Sequence, residues 1–188
     1  LRNAPSIALL AGSRKMEISY LMPEFVKLEQ LLKGTPFASY QLLLAAAPSI
    51  EPEEYTKYLP EKSSIRILYG ETYSILRHSS AALINSGTAS LEAALIGVPQ
   101  VVCYGMNPLT YLIAKTFVKI RWISLANIIL EKFIFKELSQ NECTAENMLE
   151  ELKQLISDKD RRAAMESDYR LLRDVLGGEG ASVRVAAR

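Results

Sequence analysis

Five short, mostly apolar runs alternate with helix-forming stretches along this chain, and this alternation restricts the possible fold more than any other feature. The runs cover residues 6–11, 41–47, 65–69, 81–84 and 98–104. The first run is continuously apolar, which is typical of a strand buried on both faces, and the other four also read as strands. Between the first two runs, apolar residues recur at helical spacing from Ile18 to Leu32. Strands that alternate with helices imply right-handed crossovers, so we predict an α/β fold with a Rossmann-like parallel sheet and flanking helices.

The last quarter of the chain has a different composition. Two charged amphipathic stretches, at about 145–156 and 159–176, predict helices without intervening strands. We therefore predict an α/β domain over residues 1–142 and a C-terminal helical segment over residues 143–188, which packs on that domain or crosses from it. Shorter helices are predicted at 73–76 and 88–96.

Composition and charge exclude several classes of protein. A net charge of +1 gives no overall signal for nucleic-acid binding. The apolar runs are too short and too often interrupted by charge to span a bilayer. Cys103 and Cys143 lie far apart in the sequence and lack metal-ligand spacing, which favours a reduced, cytoplasmic setting.

Two loops carry residues that suit a phosphorylated ligand. In an open parallel sheet, ligands bind beyond the carboxyl ends of the strands. The first loop is Gly12-Ser13-Arg14, where a helix start and a guanidinium favour an anion. The second loop, residues 86–88, reads Ser-Gly-Thr and also opens a helix. Glu92 follows one turn later and can accept two hydrogen bonds from a ribose diol, so the pattern indicates a nucleoside diphosphate site.

Simpler structural roles compete with this interpretation. Ser86 or Thr88 could be an ordinary N-cap, with Glu92 serving only the helix dipole. The Gly12 loop taken alone favours a simple turn. The two loops occur together at the ends of two predicted strands, and this combination favours the functional interpretation.

Other site patterns are weak or absent. Neither GxGxxG nor GxxxxGK[ST] occurs, which argues against a dinucleotide fold or a P-loop. Asp158-Lys159-Asp160 matches the metal-binding DxD of some glycosyltransferases, but it lies between two charged helices where Asp is a routine cap. The single histidine, His78, has no acid or nucleophile beside it in sequence, and we expect it to be structural. No metal and no cofactor are expected.

Four segments carry a resemblance to a known family: LLAGSRKMEI, INSGTASLEAALIGVPQVVCYGMNPLTYLIAKTFVK, ISLANII and LGGEGASVRVA. From about Ser6 to its end, the chain resembles the carboxyl-terminal half of the lipid-A-disaccharide synthases. These are inverting glycosyltransferases of the two-domain GT-B fold. Ala11, Gly105 and Ala126 depart from the family, which usually has Pro, a basic residue and Pro at the matching positions.

The resemblance implies a reaction and a set of UDP contacts. The family joins UDP-2,3-diacylglucosamine to 2,3-diacylglucosamine 1-phosphate, giving lipid A disaccharide 1-phosphate and UDP, and its carboxyl-terminal domain holds the UDP. The implied contacts are Ser13 and Arg14 with the diphosphate; Ser86, Gly87 and Thr88 with phosphate; Glu92 with ribose; Tyr69 and Gly70 with uracil; and Met106 and Asn127 near the nucleotide.

The resemblance also implies what these 188 residues lack. The chain begins without Met, directly before a predicted strand, and we expect it to be a piece of a longer protein. The acceptor site, the membrane-binding surface and the general base are expected in an amino-terminal half, so no catalytic residue is expected here. The implied location is cytoplasmic and peripheral on the inner membrane. The alternatives are a UDP-N-acetylglucosamine 2-epimerase, the peptidoglycan N-acetylglucosamine transferase, or a non-catalytic nucleotide-sugar-binding module.

Residues 109–138 carry a local excess of positive charge, with five cations against two carboxylates. Phe117, Trp122, Phe133 and Phe135 are interleaved with those cations. Composition favours a core helix and a buried strand with solvated lysines. The competing hypothesis is an exposed apolar and basic surface that contacts an anionic membrane, the missing domain or a second copy in a homodimer.

Overall fold

The computed structural model describes residues 4–105 and 122–177 of the chain. Its described strands form one parallel sheet in the order β3-β2-β1-β4-β5-β6. The strands are β1 (Ser6–Leu10), β2 (Gln41–Ala46), β3 (Arg66–Tyr69), β4 (Ala81–Asn85), β5 (Gln100–Tyr104) and β6 (Glu137–Ser139). The predicted parallel α/β sheet is confirmed, and β6 is a sixth strand beyond the five apolar runs.

The described helices flank this sheet. They are α1 (Lys15–Leu32), α2 (Glu53–Thr56), α3 (Thr72–His78), α4 (Thr88–Ile96), α5 (Leu125–Ile129), α6 (Ala145–Ser157) and α7 (Lys159–Leu176), with a 3-10 turn at Gln140–Glu142. The fifth strand begins two residues later than predicted. Pro99 has no N–H to give to a strand ladder, and the Val98 amide instead bonds to the Ala93 carbonyl that ends α4.

The strand order reverses between β1 and β4, the two central strands. Ile7 pairs with Ala81 and Leu10 with Ile84, so both strands end at the same level. The chain leaves β1 toward β2 and leaves β4 toward β5. The loops after the two strands therefore diverge and leave a crevice between them, which is where ligands bind in open α/β sheets.

Each face of the sheet has its own apolar core. Leu83 of β4 belongs to the core that α1, α6 and α7 cover, whereas Ile84 belongs to the core that α3 and α4 cover. This alternation follows from the period of two along a strand. On α1, apolar residues recur every three or four positions and are buried: Ile18, Leu21, Met22, Phe25 and Leu28. Each such burial contributes about 1.5–3 kcal/mol.

The C-terminal helices pack on the α/β sheet. The Ala145 amide at the start of α6 donates to Glu24 Oε2 of α1 at 2.9 Å. Tyr169 of α7 is fully buried, and its hydroxyl donates to the Val98 carbonyl at 3.1 Å. Gln100 of β5 donates to the same hydroxyl at 3.3 Å. The domain boundary at residue 142 stays a prediction, and these contacts join its two sides.

Asp158 and His78 were both expected from the sequence to have structural roles. Asp158 caps α7 by accepting from the Arg161 amide at 2.9 Å, which confirms the capping role favoured over metal binding. His78 at the end of α3 contacts the Ser74 carbonyl one turn earlier through Nδ1 at 2.8 Å, as befits a structural residue. Of the helices within residues 4–105 and 122–177, none has the length and apolar character needed to cross a membrane.

Candidate functional site

A cavity of about 560 Å³ opens at the carboxyl edge of the sheet, in the crevice between β1 and β4. Six of the residues predicted from the sequence lie around it: Ser13, Arg14, Ser86, Gly87, Thr88 and Glu92. Ala47 and Pro48 after β2 and Thr72 of α3 line its opposite side. Two loops that are separated by some seventy residues in sequence thus form one concave surface.

The Gly12-Ser13-Arg14 loop is held by a carboxylate from its own helix. Glu17 accepts hydrogen bonds from the amides of Ser13 at 3.0 Å and Arg14 at 3.2 Å. It also pairs with the Arg14 guanidinium at 2.9 Å. Gly12 is required because its φ is +101° and because a methyl group there would overlap Glu17. The amides predicted to face a phosphate are therefore already bonded to an internal anion.

Arg14 itself points into water, with 77% of its side chain exposed. Only its Nη1 is engaged by Glu17, so its other donors remain available to a ligand. A guanidinium at the mouth of an open cavity suits an anion, which supports the predicted contact with a diphosphate.

The second loop has a bare helix start. The N-cap of α4 is Gly87, which has no side chain to bond the first amides of the helix. The Ser86 and Thr88 hydroxyls form no capping bond within the described ranges, so the simple capping role weighed from the sequence is not supported. The Ser86 amide donates to the Cys103 carbonyl at 3.1 Å, which fixes the loop to β5. Around Gly87 a ligand can approach closely, since no atom lies within 4 Å of the position that a methyl group would take.

Glu92 lies beyond the first turn of α4, so a role limited to the helix dipole is weak there. The Tyr73 hydroxyl of α3 donates a hydrogen bond to its carboxylate, and this bond raises the pKa of Tyr73. Glu92 also lines the cavity, where a ligand can reach its carboxylate. A smaller cavity of about 380 Å³ lies behind this pair, lined also by Arg77 and Leu95.

Tyr69 and Gly70 lie at the same edge of the sheet, but they do not line the cavity. Tyr69 ends β3, is 46% exposed and stands beside Ala46 of β2. Gly70 turns the chain with φ at +72°. Their contact with a uracil ring stays a prediction.

Asn127 is placed away from the cavity. It is fully buried, and its carboxamide accepts from the Ile134 amide at 3.0 Å. It donates to the Phe135 carbonyl at 3.1 Å and to Glu137 Oε1 at 2.9 Å. The residue thus ties α5 to the segment that leads into β6. Met106 lies outside the described residues, and neither predicted contact with the nucleotide is tested.

Residues 109–121 of the 109–138 segment lie outside the described residues. In the rest of the segment, some side chains lie in the core and others at the surface. Phe135 is fully buried and makes an edge-to-face contact with Tyr169, with ring centroids 6.3 Å apart. Lys132 pairs with Asp168 at 2.7 Å. Phe133, in contrast, is 55% exposed. Phe135 therefore fits the interpretation of this segment as core. Phe133 fits the interpretation of it as an exposed apolar surface.

Sequence reasoning missed two features of this region. Glu17 and Asn85 both line the cavity; a signal for Asn85 was its polar side chain directly after an apolar strand. Cys103 and Cys143, distant in sequence, meet in space, and the Cys103 thiol donates to the Cys143 sulfur. This contact raises the pKa of Cys103 and, with a bond from the Tyr104 amide, lowers that of Cys143.

The family model described as lipid-A-disaccharide synthetase matches residues 1–184. The chain belongs to this family. The lipid-A-disaccharide synthase of Syntrophus aciditrophicus is 35% identical over 184 residues, which cover 96% of the chain and 48% of that relative. The enzyme of Psychromonas ingrahamii is 38% identical over 158 residues, covering 82% and 41% respectively. The chain thus spans about half the length of these relatives of its family.

Solved structures agree on the fold. The calicheamicin glycosyltransferase CalG4 superimposes with a TM-score of 0.64 at 18% identity, covering 98% of the chain and 42% of that protein. A putative UDP-N-acetylglucosamine 2-epimerase from Listeria monocytogenes gives 0.64 at 17% identity, covering 98% and 43%. At these identities the likeness concerns the fold alone: the family member described here has the architecture of one half of a GT-B glycosyltransferase.

Proposed function

We propose that this chain is the nucleotide-binding half of a lipid-A-disaccharide synthase. The complete enzyme transfers 2,3-diacylglucosamine from UDP-2,3-diacylglucosamine to 2,3-diacylglucosamine 1-phosphate, forming lipid A disaccharide 1-phosphate and UDP. The observation that carries the proposal is the single cavity in which both predicted loops and Glu92 meet. Membership of the lipid-A-disaccharide synthetase family supplies the substrate class.

The size and polarity of the cavity suit a nucleoside diphosphate. A volume of about 560 Å³ falls within the usual range for small-molecule sites, roughly 300–1,000 Å³. The diphosphate lies against the bare amino terminus of α4 and the Arg14 guanidinium, which together supply positive potential. The Glu92 carboxylate accepts from the ribose diol. The base points toward Ala47, Pro48 and Thr72, with Tyr69 beyond them.

The rest of the reaction belongs to parts of the enzyme beyond this chain. The acceptor site and the general base lie in an amino-terminal half, in accord with a chain that spans about half of its relatives. We place the enzyme in the cytoplasm, peripheral on the inner membrane, where its acylated substrates reside. The exposed Phe133 and its neighbour Lys132 support a surface for that membrane or for a second copy, although Asp168 partly neutralises this lysine.

Calorimetric titration with UDP, with magnesium or with a chelator, tests this function. We expect binding without a metal ion, because Arg14 and the start of α4 supply the positive potential that a cation would otherwise give. A strict requirement for magnesium, or no binding of UDP at all, contradicts the proposal. A non-catalytic module would bind UDP equally well, but its full-length protein would form no disaccharide from the two sugar substrates.

Glu92→Gln separates the ribose contact from the phosphate contacts. Loss of a charged acceptor is expected to weaken UDP binding by about 1.5–3 kcal/mol while leaving inorganic pyrophosphate nearly unaffected. Arg14→Ala is the matched variant with the opposite expectation, a loss for both ligands that is larger for pyrophosphate. Equal losses of UDP and pyrophosphate binding in Glu92→Gln would return this residue to a structural role.

A further inference from the structure

Asn85 places an unpaired amide oxygen at the floor of the cavity. It is the last residue of β4, is 5% exposed and lines the cavity. Its Oδ1 is buried and has no hydrogen-bond partner within residues 4–105 and 122–177. Buried polar atoms are nearly always paired, because an unpaired one destabilises the fold. The carboxamide is thus an acceptor that a bound ligand can satisfy.

The side of the sheet on which Asn85 lies fixes which part of a ligand it can meet. Side chains alternate along β4, so Asn85 shares with Leu83 the face covered by α1. A methyl group on Gly12 would lie 2.7 Å from Asn85 Nδ2, which places the carboxamide beside the β1 loop. Glu92, in contrast, belongs to α4 and bonds to Tyr73 of α3, on the opposite face.

The chemistry of an amide oxygen then narrows the ligand group. Oδ1 only accepts hydrogen bonds, and the oxygens of a diphosphate have no proton to donate at neutral pH. In a sugar nucleotide the order is ribose, diphosphate, hexose. Glu92 holds the ribose on one face of the sheet, and the two loops hold the diphosphate at the sheet's edge. The hexose follows the diphosphate and therefore extends toward Asn85 on the other face.

We propose that Asn85 is a specificity-determining residue whose Oδ1 accepts a hydrogen bond from a hydroxyl or amide N–H of the hexose attached to the β-phosphate. The inference rests on the proposed function, since it takes the ribose end of the ligand from Glu92. It explains why a buried strand ends in an unpaired carboxamide, and it distinguishes sugar nucleotides from the free nucleotide product.

Asn85→Leu tests the proposal, because leucine has a similar shape and no polar atom. Calorimetry measures the affinities of wild type and variant for UDP and for UDP-N-acetylglucosamine, which serves as the probe. We expect about a five-fold loss of affinity for the sugar nucleotide and less than about a two-fold change for UDP. Thermal unfolding of the free protein is expected to occur at an equal or higher temperature in the variant, because an unpaired buried atom has been removed.

If leucine is too large for the site, Asn85→Ala replaces Asn85→Leu in the test. The same ratio between its affinities for UDP and for UDP-N-acetylglucosamine is expected. Thr72→Ala is the control, since it also removes a polar group from the lining but on the side of the base. Equal losses for UDP and for the sugar nucleotide, or no loss for either, overturn the role of Asn85. A wild-type protein that binds neither ligand refutes the proposed function itself, so the two failures are distinguishable.

Discussion

Glu17→Gln is expected to weaken the fold and strengthen anion binding at the same time. The carboxylate of Glu17 bonds to two loop amides and to the Arg14 guanidinium, so it occupies positions that a diphosphate also favours. Glutamine keeps one oxygen acceptor and nearly the same shape. The substitution therefore removes the charge while preserving most of the contacts.

The two effects can be estimated separately. Loss of charge in the first turn of α1 removes a helix-dipole contribution of about 0.3–1 kcal/mol. Weakening of the capping bonds removes about 1 kcal/mol more. The ion pair with Arg14 adds little, because the guanidinium is 77% exposed. On the ligand side, removing a carboxylate that shares the Arg14 guanidinium with a phosphate relieves a like-charge repulsion of roughly 1 kcal/mol, the size of the interaction between unit charges a few Å apart in water.

Thermal unfolding followed by circular dichroism should then show a midpoint lower by roughly 3–6 °C for a chain of this size. Calorimetry with inorganic pyrophosphate should show an affinity about five-fold higher, corresponding to that repulsion. Glu150→Gln is the control, because it removes an equal charge from an exposed i,i+3 pair with Lys153 on α6. If Glu17→Gln lowers pyrophosphate affinity together with stability, Glu17 supports the site and does not compete with the ligand.

Two further predictions concern the core and the cysteine pair. Tyr169→Phe removes the hydroxyl that bonds to Val98 and Gln100, so urea denaturation should show a free energy of unfolding lower by about 1–3 kcal/mol. Tyr20→Phe on the surface should change the free energy of unfolding little. Cys143 has a pKa below its ordinary value of 9.0, so its thiolate fraction at pH 7–8 is raised and iodoacetamide should modify it before the buried Cys103. Cys103→Ala removes a donor to that thiolate and should slow the modification at pH 7. If wild type and Cys103→Ala are modified at the same rate at every pH from 6 to 9, the assigned contact is wrong.

Strands β1, β2, β4 and β5 were predictable from sequence because nearly all of their residues are buried, on both faces of the sheet. The run that became β1 contains no charge, and the chain could not expose it. β6, in contrast, has three residues, of which only Leu138 is buried, and no periodicity can appear over so short a stretch. Its partner is β5, more than thirty residues earlier, and pairing at that separation leaves no local signal.

The candidate site was predictable where backbone chemistry restricts the residue type. Gly12 must adopt a positive φ beside Glu17, so its glycine was informative. Asn127 and Asn85 are both buried amides, but the first is bonded throughout and the second has an unpaired oxygen. A sequence records the same residue type for both. The difference arises from tertiary contacts that a pattern of residue types does not contain.

The hydrogen bond between Glu24 and Ala145 joins residues 121 positions apart, and this separation affects how the protein folds during synthesis. At about 5–20 residues per second, a ribosome needs roughly 6–24 s to proceed from one partner to the other. Until α6 emerges, β4 and β5 lack the cover that Met148, Leu152 and Leu155 provide on the α1 face. A nascent chain stalled in this interval presents apolar surface to chaperones and to neighbouring chains, although the two loops that line the cavity have already been made.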